Sequence, residues 1–196
     1  MRHVGWAGYE SALRLRGERP SPKMVYLDGD LSLMSPAYRH ERLAERLSDL
    51  IKEVAFVSDL PCESCRSTTF RRQKDQGGAE ADASFYLANA HRVSGKTDLD
   101  LRHDPPPDLA VEAVNTHGAD ASVEVWRRFG VPEVWVCDES SLRILTLRAD
   151  RTYAEVSRSL AFPSLTALEI YRQVTPDPGT PDALWRKQLR QWAAAR

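Results

Sequence analysis

Apolar residues along this chain recur at two different spacings, and the changes between them mark out its elements. Leu43, Ala44, Leu47, Leu50, Ile51 and Val54 repeat at helical spacing and predict a helix of about five turns over residues 36–56. His40 continues this stripe one turn before Ala44, while Glu41, Glu45, Asp49 and Lys52 lie off it, towards solvent. Residues 5–15 read as a shorter helix with Trp6, Tyr9, Leu13 and Leu15 on its apolar side. Residues 182–195 read as a C-terminal helix with Leu184, Trp185, Leu189 and Trp192 on one side. Between these helices the period shortens. Residues 24–35 predict a hairpin turning at Asp28-Gly29, a strong hairpin signal when apolar residues flank it. Residues 63–72 read as one strand, 73–80 as a polar, glycine-containing turn, 81–87 as a second strand, and 89–106 as a polar loop. Residues 142–147 and 153–156 read as antiparallel edge strands, and 160–168 as irregular.

The centre of this pattern is the stretch 107–138, which reads strand, helix, strand. Its first strand, over 108–114, is almost wholly apolar, as a strand covered on both faces must be. The fold class that follows is α/β, a mixed β-sheet flanked by helices. Within that strand Leu109, Val111 and Ala113 share one face, and Ala110, Glu112 and Val114 share the other. Glu112 therefore sits between two small apolar neighbours. A carboxylate there is costly unless it is paired, protonated or bound to a metal. One reading is a buried pair with an arginine. The other needs a second carboxylate, and Asp82 supplies one. It lies mid-strand between Ala81 and Ala83, and it would stand beside Glu112 if the two strands pair. Two converging carboxylates repel unless a dication holds them, and oxygen ligands suit Mg²⁺ or Mn²⁺. His40, near the start of its helix, reads either as a satisfied core histidine or as part of such a site.

Composition narrows the alternatives. With 196 residues, 42% hydrophobic and 28% charged, the chain suits one soluble domain over residues 1–196. The helices at about 5–15 and about 182–195 sit at its two ends. A net charge of -1 gives no global basic field, so any nucleic-acid surface must be a local patch. No apolar run is long enough to span a bilayer, and the first residues lack a signal-peptide core, so no membrane partner and a cytoplasmic location are expected. Three cysteines give no disulfide framework. Cys62-Glu-Ser-Cys65 enters a strand, where side chains three apart face opposite ways, so it reads as neither a zinc nor a redox motif.

In order, the chain carries Leu-Asp-Gly-Asp-Leu-Ser-Leu-Met-Ser-Pro at 27–36, His40, Asp82 in a short apolar strand, Pro-Pro-Asp-Leu-Ala-Val-Glu at 106–112, a helix, and Gly-Val-Pro-Glu-Val-Trp at 130–135. This order resembles the Uma-two family of restriction-endonuclease-like proteins, in the PD-(D/E)XK nuclease superfamily, over about residues 5–172. The resemblance implies a restriction-endonuclease-like core and a metal-dependent DNA endonuclease. It implies that Asp82 and Glu112 hold Mg²⁺ (or Mn²⁺) with the backbone carbonyl of Ala113, and that His40 assists near the scissile phosphate. A homodimer fits the need to cut two strands. Three positions depart from the family pattern. Ala81 replaces a proline, and Asn115-Thr116 replaces Ser-Pro. The third is the lysine that polarises the attacking water. Val114 occupies its simple position, and Ser122 occupies the position eight residues before Gly130 to which this family moves it. Ser122 shares a helix face with Trp126 and Phe129, whereas Arg127 points away. His117, Arg71 or Arg72 is a candidate substitute. Without one, the alternative is a catalytically degenerate member that binds nucleic acid or a protein.

Overall fold

Two sheets of unequal size share one helix. The computed structural model describes residues 1–35, 37–114 and 119–196. Pro36, the expected helix start, and residues 115–118, with the candidate His117, lie outside the described residues. The chain opens with helix α1 (Gly5–Arg16), strands β1 (Lys23–Leu27) and β2 (Asp30–Met34), and the long helix α2 (Tyr38–Val57). Strands β3 (Glu63–Ser64), β4 (Thr69–Arg72), β5 (Gly77–Glu80) and β6 (Ala83–Tyr86) follow, then the short helix α3 (Ala90–Val93). The central unit is β7 (Leu109–Ala113), α4 (Asp120–Phe129) and β8 (Glu133–Cys137). Strands β9 (Leu142–Leu147) and β10 (Tyr153–Val156) and helices α5 (Ala167–Val174) and α6 (Asp182–Ala194) complete it.

The larger sheet has the order β10-β9-β8-β7-β6-β3. β7 and β8 run parallel, joined through α4, and their neighbours β6 and β9 run antiparallel to them. The sheet is mixed, as the apolar pattern predicts. One face packs Phe85, Val111 and Trp135 against Leu47 and Leu50 of α2, Ile170 of α5 and Trp185 of α6. The other face packs Tyr86, Ala110 and Val134 against Trp126 and Phe129 of α4. The smaller sheet, β2-β1-β5-β4, contacts α4 from its opposite side. Helix α4 is therefore covered on both flanks, which is why Ser122, Val125, Trp126 and Phe129 are all buried.

Several expectations need correction. The stretch 63–72 is not one strand. β3 joins the larger sheet and β4 the smaller, separated by a turn in which Thr68 N–H donates to the Cys65 carbonyl and Arg66 adopts φ 49. The stretch 73–80 is not a turn throughout, since Gly77–Glu80 forms the fully buried strand β5. Its glycines are there for space. A Cβ on Gly78 would lie 2.7 Å from ring carbons of Tyr9, whose ring is buried and stacked on Tyr26 at 4.8 Å. Gly78→Ala is expected to lower stability by ~1–3 kcal/mol through overpacking. The Tyr9 hydroxyl makes no hydrogen bond among the described residues, so adding Tyr9→Phe should recover part of that loss, measured as a denaturant midpoint. Full additivity of the two changes would refute a steric cause.

Within 89–106 the chain forms α3, and α5 replaces part of the stretch read as irregular. α5 begins with a capping box, in which Thr166 Oγ1 accepts from Glu169 N–H and the Glu169 carboxylate accepts from Thr166 N–H. Leu15 and Leu184, read as apolar-face residues, are exposed. β9 is not an edge, since it pairs with both β8 and β10. The two cysteines of the C-x-x-C stretch pack against opposite faces of the larger sheet, as strand alternation requires.

Candidate active site

Asp82 stands where the chain passes from one sheet to the other. β5 ends at Glu80 in the smaller sheet, and β6 begins at Ala83 in the larger. Ala83 pairs with Val111, so the same register carried back one residue sets Asp82 opposite Glu112. The backbone ties the two strands here in both directions. Asp82 N–H donates to the Val111 carbonyl at 3.0 Å, and Ala113 N–H donates to Asp82 Oδ2 at 2.7 Å. Asp82 is therefore not mid-strand as expected but in the bend just before β6, where the register carried back one residue sets it beside Glu112 and its carboxylate accepts from the Ala113 amide.

α2 delivers His40 to the same point. Its Nε2 lies 3.1 Å from Asp82 Oδ2, and its side chain is buried. The opposite ring nitrogen, Nδ1, is buried without a hydrogen-bond partner among the described residues, and Glu41 Oε1 lies 3.8 Å from it. Asp82 raises the imidazole's pKa above its ordinary value through this bond, against the effect of burial. For Asp82 itself burial pushes upward, but His40 and Lys23 together outweigh it and hold the carboxyl below the usual range.

Lys23 is the residue that sequence reasoning missed. It opens β1 in the smaller sheet, its side chain is 10% exposed, and its Nζ is bonded to Asp82 Oδ1. No periodicity or motif marks it, because a lysine at the start of a hairpin ordinarily belongs to the surface. Of the cations weighed from the sequence, Arg72 and Arg127 are engaged elsewhere. Arg72 bonds Asp75 and lies over the Phe129 ring, and Arg127 pairs with Glu124. Arg71 is exposed and makes no ion pair among the described residues.

Glu112 lies one step deeper. Trp126 Nε1 donates to its Oε1 at 2.6 Å. The buried arginine partner considered as one reading is absent among the described residues. Burial, and then the charge of Asp82, push the Glu112 carboxyl up to about 8, against the smaller opposing pull of Trp126, Lys23 and Ser122. The arrangement suits a dication. One carboxylate is held ionised, and the other would ionise readily if positive charge entered between them. Among the described residues no group of three or more His, Cys, Asp and Glu side chains is arranged to hold a metal. A site of two carboxylates completed by water and substrate is the pattern expected for Mg²⁺, not for Zn²⁺.

A cavity of about 420 Å³ opens onto Asp82 between α2 and the β3–β4 turn. Lys52 and Arg66 line it and make no ion pair among the described residues. Of its other acids, Glu45 and Asp49 pair with Arg186, Asp182 pairs with Arg42 and Arg46, and Glu41 lies 3.8 Å from His40 Nδ1. A second cavity of similar size, lined by Arg71, Arg72 and Arg102, contains neither acid of the site.

A family model described as "Putative restriction endonuclease" matches residues 9–177. Among solved structures, a protein of Anabaena variabilis titled "a putative nuclease belonging to DUF820" superposes with a TM-score of 0.56 at 12% identity. The match covers 81% of this chain and 94% of that one, and it shows a shared fold. No curated protein matches the chain.

Proposed function

The chain belongs to the Uma2 family of restriction-endonuclease-like proteins, and on that premise we propose that it is a metal-dependent nuclease that hydrolyses phosphodiester bonds in DNA. The observation that carries this reading is the approach of Asp82, just before β6, to Glu112 of the paired strand β7, with Lys23 and His40 both on Asp82. Asp82, Glu112 and the Ala113 carbonyl would hold Mg²⁺ or Mn²⁺. That ion would supply a lowered pKa for water and stabilisation of charge on the phosphoryl oxygens. In the reaction a water oxygen bonds to phosphorus and one ester P–O bond breaks. The water proton ends on the departing sugar oxygen, leaving a phosphomonoester and a hydroxyl.

The chain's own groups have distinct parts in this. The Ala113 amide and the His40 imidazole fix Asp82 Oδ2. Trp126 orients Glu112. Lys52 and Arg66, which line the same cavity as Asp82, meet a phosphate backbone without needing to break an ion pair. No helix among the described residues is long and apolar enough to cross a membrane. The degenerate alternative rested on Ser122 in place of a lysine, and the Lys23 ammonium at Asp82 favours the active reading over it.

Incubation of supercoiled plasmid with purified protein and Mg²⁺ or Mn²⁺ tests the proposal. Nicked or linear product is expected from the wild type, and Asp82→Ala is expected to reduce it at least ~100-fold, the scale of losing preorganised charge at a reaction centre. Equal product from both proteins, or none from the wild type with either metal, would sink the reading.

A further inference from the structure

Helix α4 carries no cation towards the two acids. Ser122 faces them, its hydroxyl donates to the Ala119 carbonyl at 3.0 Å, and it is buried. The one Lys or Arg nitrogen bonded to either acid among the described residues comes from Lys23, 59 positions before Asp82 and in the other sheet. Lys23 and Asp82 are nearly enclosed, with side chains 10% and 3% exposed, so water screens this pair little. The two oxygens of Asp82 are occupied differently. Oδ2 takes the Ala113 amide and His40, while among the described residues Oδ1 takes Lys23 alone. A carboxylate oxygen has room for a second contact, so Oδ1 is where a metal and the ammonium would meet.

We propose that Lys23 is the site's working ammonium, supplied from β1 of the second sheet in place of one from α4, and that it weakens metal binding while promoting cleavage. The inference rests on the nuclease reading above and assigns a residue to it. The physical reason for the opposed effects is charge. In the metal-free protein Lys23 neutralises Asp82, and a dication approaching the same carboxylate is repelled by it. When phosphate arrives, the negative charge of the substrate joins that of the two acids, and the ammonium offsets it as the phosphorus centre gains an oxygen. A lysine that merely propped up the sheet junction would not separate the two quantities, because its loss would weaken metal binding and cleavage together.

The test compares wild type, Lys23→Met and Lys23→Arg by calorimetric titration with Mg²⁺ alone and by plasmid cleavage. Lys23→Met is expected to bind Mg²⁺ roughly tenfold or more tightly, as the repulsion is removed. It is also expected to cut at least ~100-fold more slowly. In melting experiments its metal-free form should be less stable than wild type, with a larger gain on adding Mg²⁺. Lys23→Arg should keep the weaker metal affinity and recover part of the cleavage. Unchanged or weaker Mg²⁺ binding by Lys23→Met overturns the assignment of Lys23 alone. Lys23→Arg that cuts no better than Lys23→Met overturns it independently, even if the methionine variant folds poorly. A wild type that binds no Mg²⁺ overturns the nuclease reading, and this inference with it.

Discussion

Glu112→Gln should make the metal-free protein more stable at pH 8 while removing its response to metal. The native pKa of Glu112 is pushed up to about 8 from an ordinary 4.5, by burial first and by Asp82 second. A raised carboxyl pKa means that the native state binds a proton the unfolded chain releases. Stability from this group is therefore intact below about 4.5 and falls as pH rises towards about 8. The slope is on the order of 1.4 kcal/mol per pH unit, a few kcal/mol across the window. Glutamine keeps the shape and can still accept from Trp126 Nε1 but never ionises. The difference in unfolding free energy between variant and wild type should thus be small at pH 5 and should favour the variant by a few kcal/mol at pH 8. His40 adds a slope of the same sign in both proteins, since its raised pKa stabilises the fold at low pH and that contribution is lost on deprotonation. The window between about 4.5 and 6.5 belongs to Glu112 in this comparison. Mg²⁺ should raise the wild-type melting temperature increasingly with pH, because binding requires the ionised acid, and should leave the variant unmoved. A variant less stable than wild type at pH 8 without metal would show that Glu112 is ionised and well paired in the native state.

Much of this site is legible in the sequence because its logic is local. A glutamate between Ala110 and Val114 on one face of a strand covered on both faces is a visible anomaly, and Asp82 becomes its candidate partner once the two strands are taken to pair. His40 is visible because it continues a helical stripe. These inferences need only a period of two or of 3.6. Lys23 could not be found that way. Its contact with Asp82 joins two sheets, and no periodicity in β1 records what the neighbouring sheet places beside it. Gly77 and Gly78 misled for a related reason. Glycine usually signals a turn, but here it makes room for Tyr9 and for α4, which lie far off in sequence. The start of α5 is different, since Thr166 and Glu169 spell a capping box that could have been read directly. What escaped was mostly how the second sheet assembles around its hairpin, and Lys23 belongs to that sheet.

Trp126 joins packing to chemistry, and two substitutions separate these roles. The ring is fully buried between the sheets and meets Phe70 and Phe129 edge-on, each with centroids 6.0 Å away. Trp126→Ala is expected to cost ~3–5 kcal/mol, because a site covered on both flanks collapses poorly around the void. Trp126→Phe keeps most of the apolar contact and removes the indole N–H that donates to Glu112 at 2.6 Å. Its cost should depend on pH, and the sign follows from the bond. The N–H favours the ionised carboxylate and so lowers the Glu112 pKa; without it the native pKa climbs further. At pH 5, where Glu112 is protonated in the native state, the loss should be near that of a neutral hydrogen bond, about 1 kcal/mol. At pH 8 and above it should approach ~2–3 kcal/mol, the range for a bond to a charged group. Denaturant unfolding at the two pH values reads the difference. The pH for half-maximal Mg²⁺ binding should move upward in the same variant, because the metal must then displace a more tightly held proton. A pH-independent cost with unmoved metal binding would make Trp126 a packing residue only. The predicted coupling would instead make the indole the means by which the core of α4 sets the charge of the site.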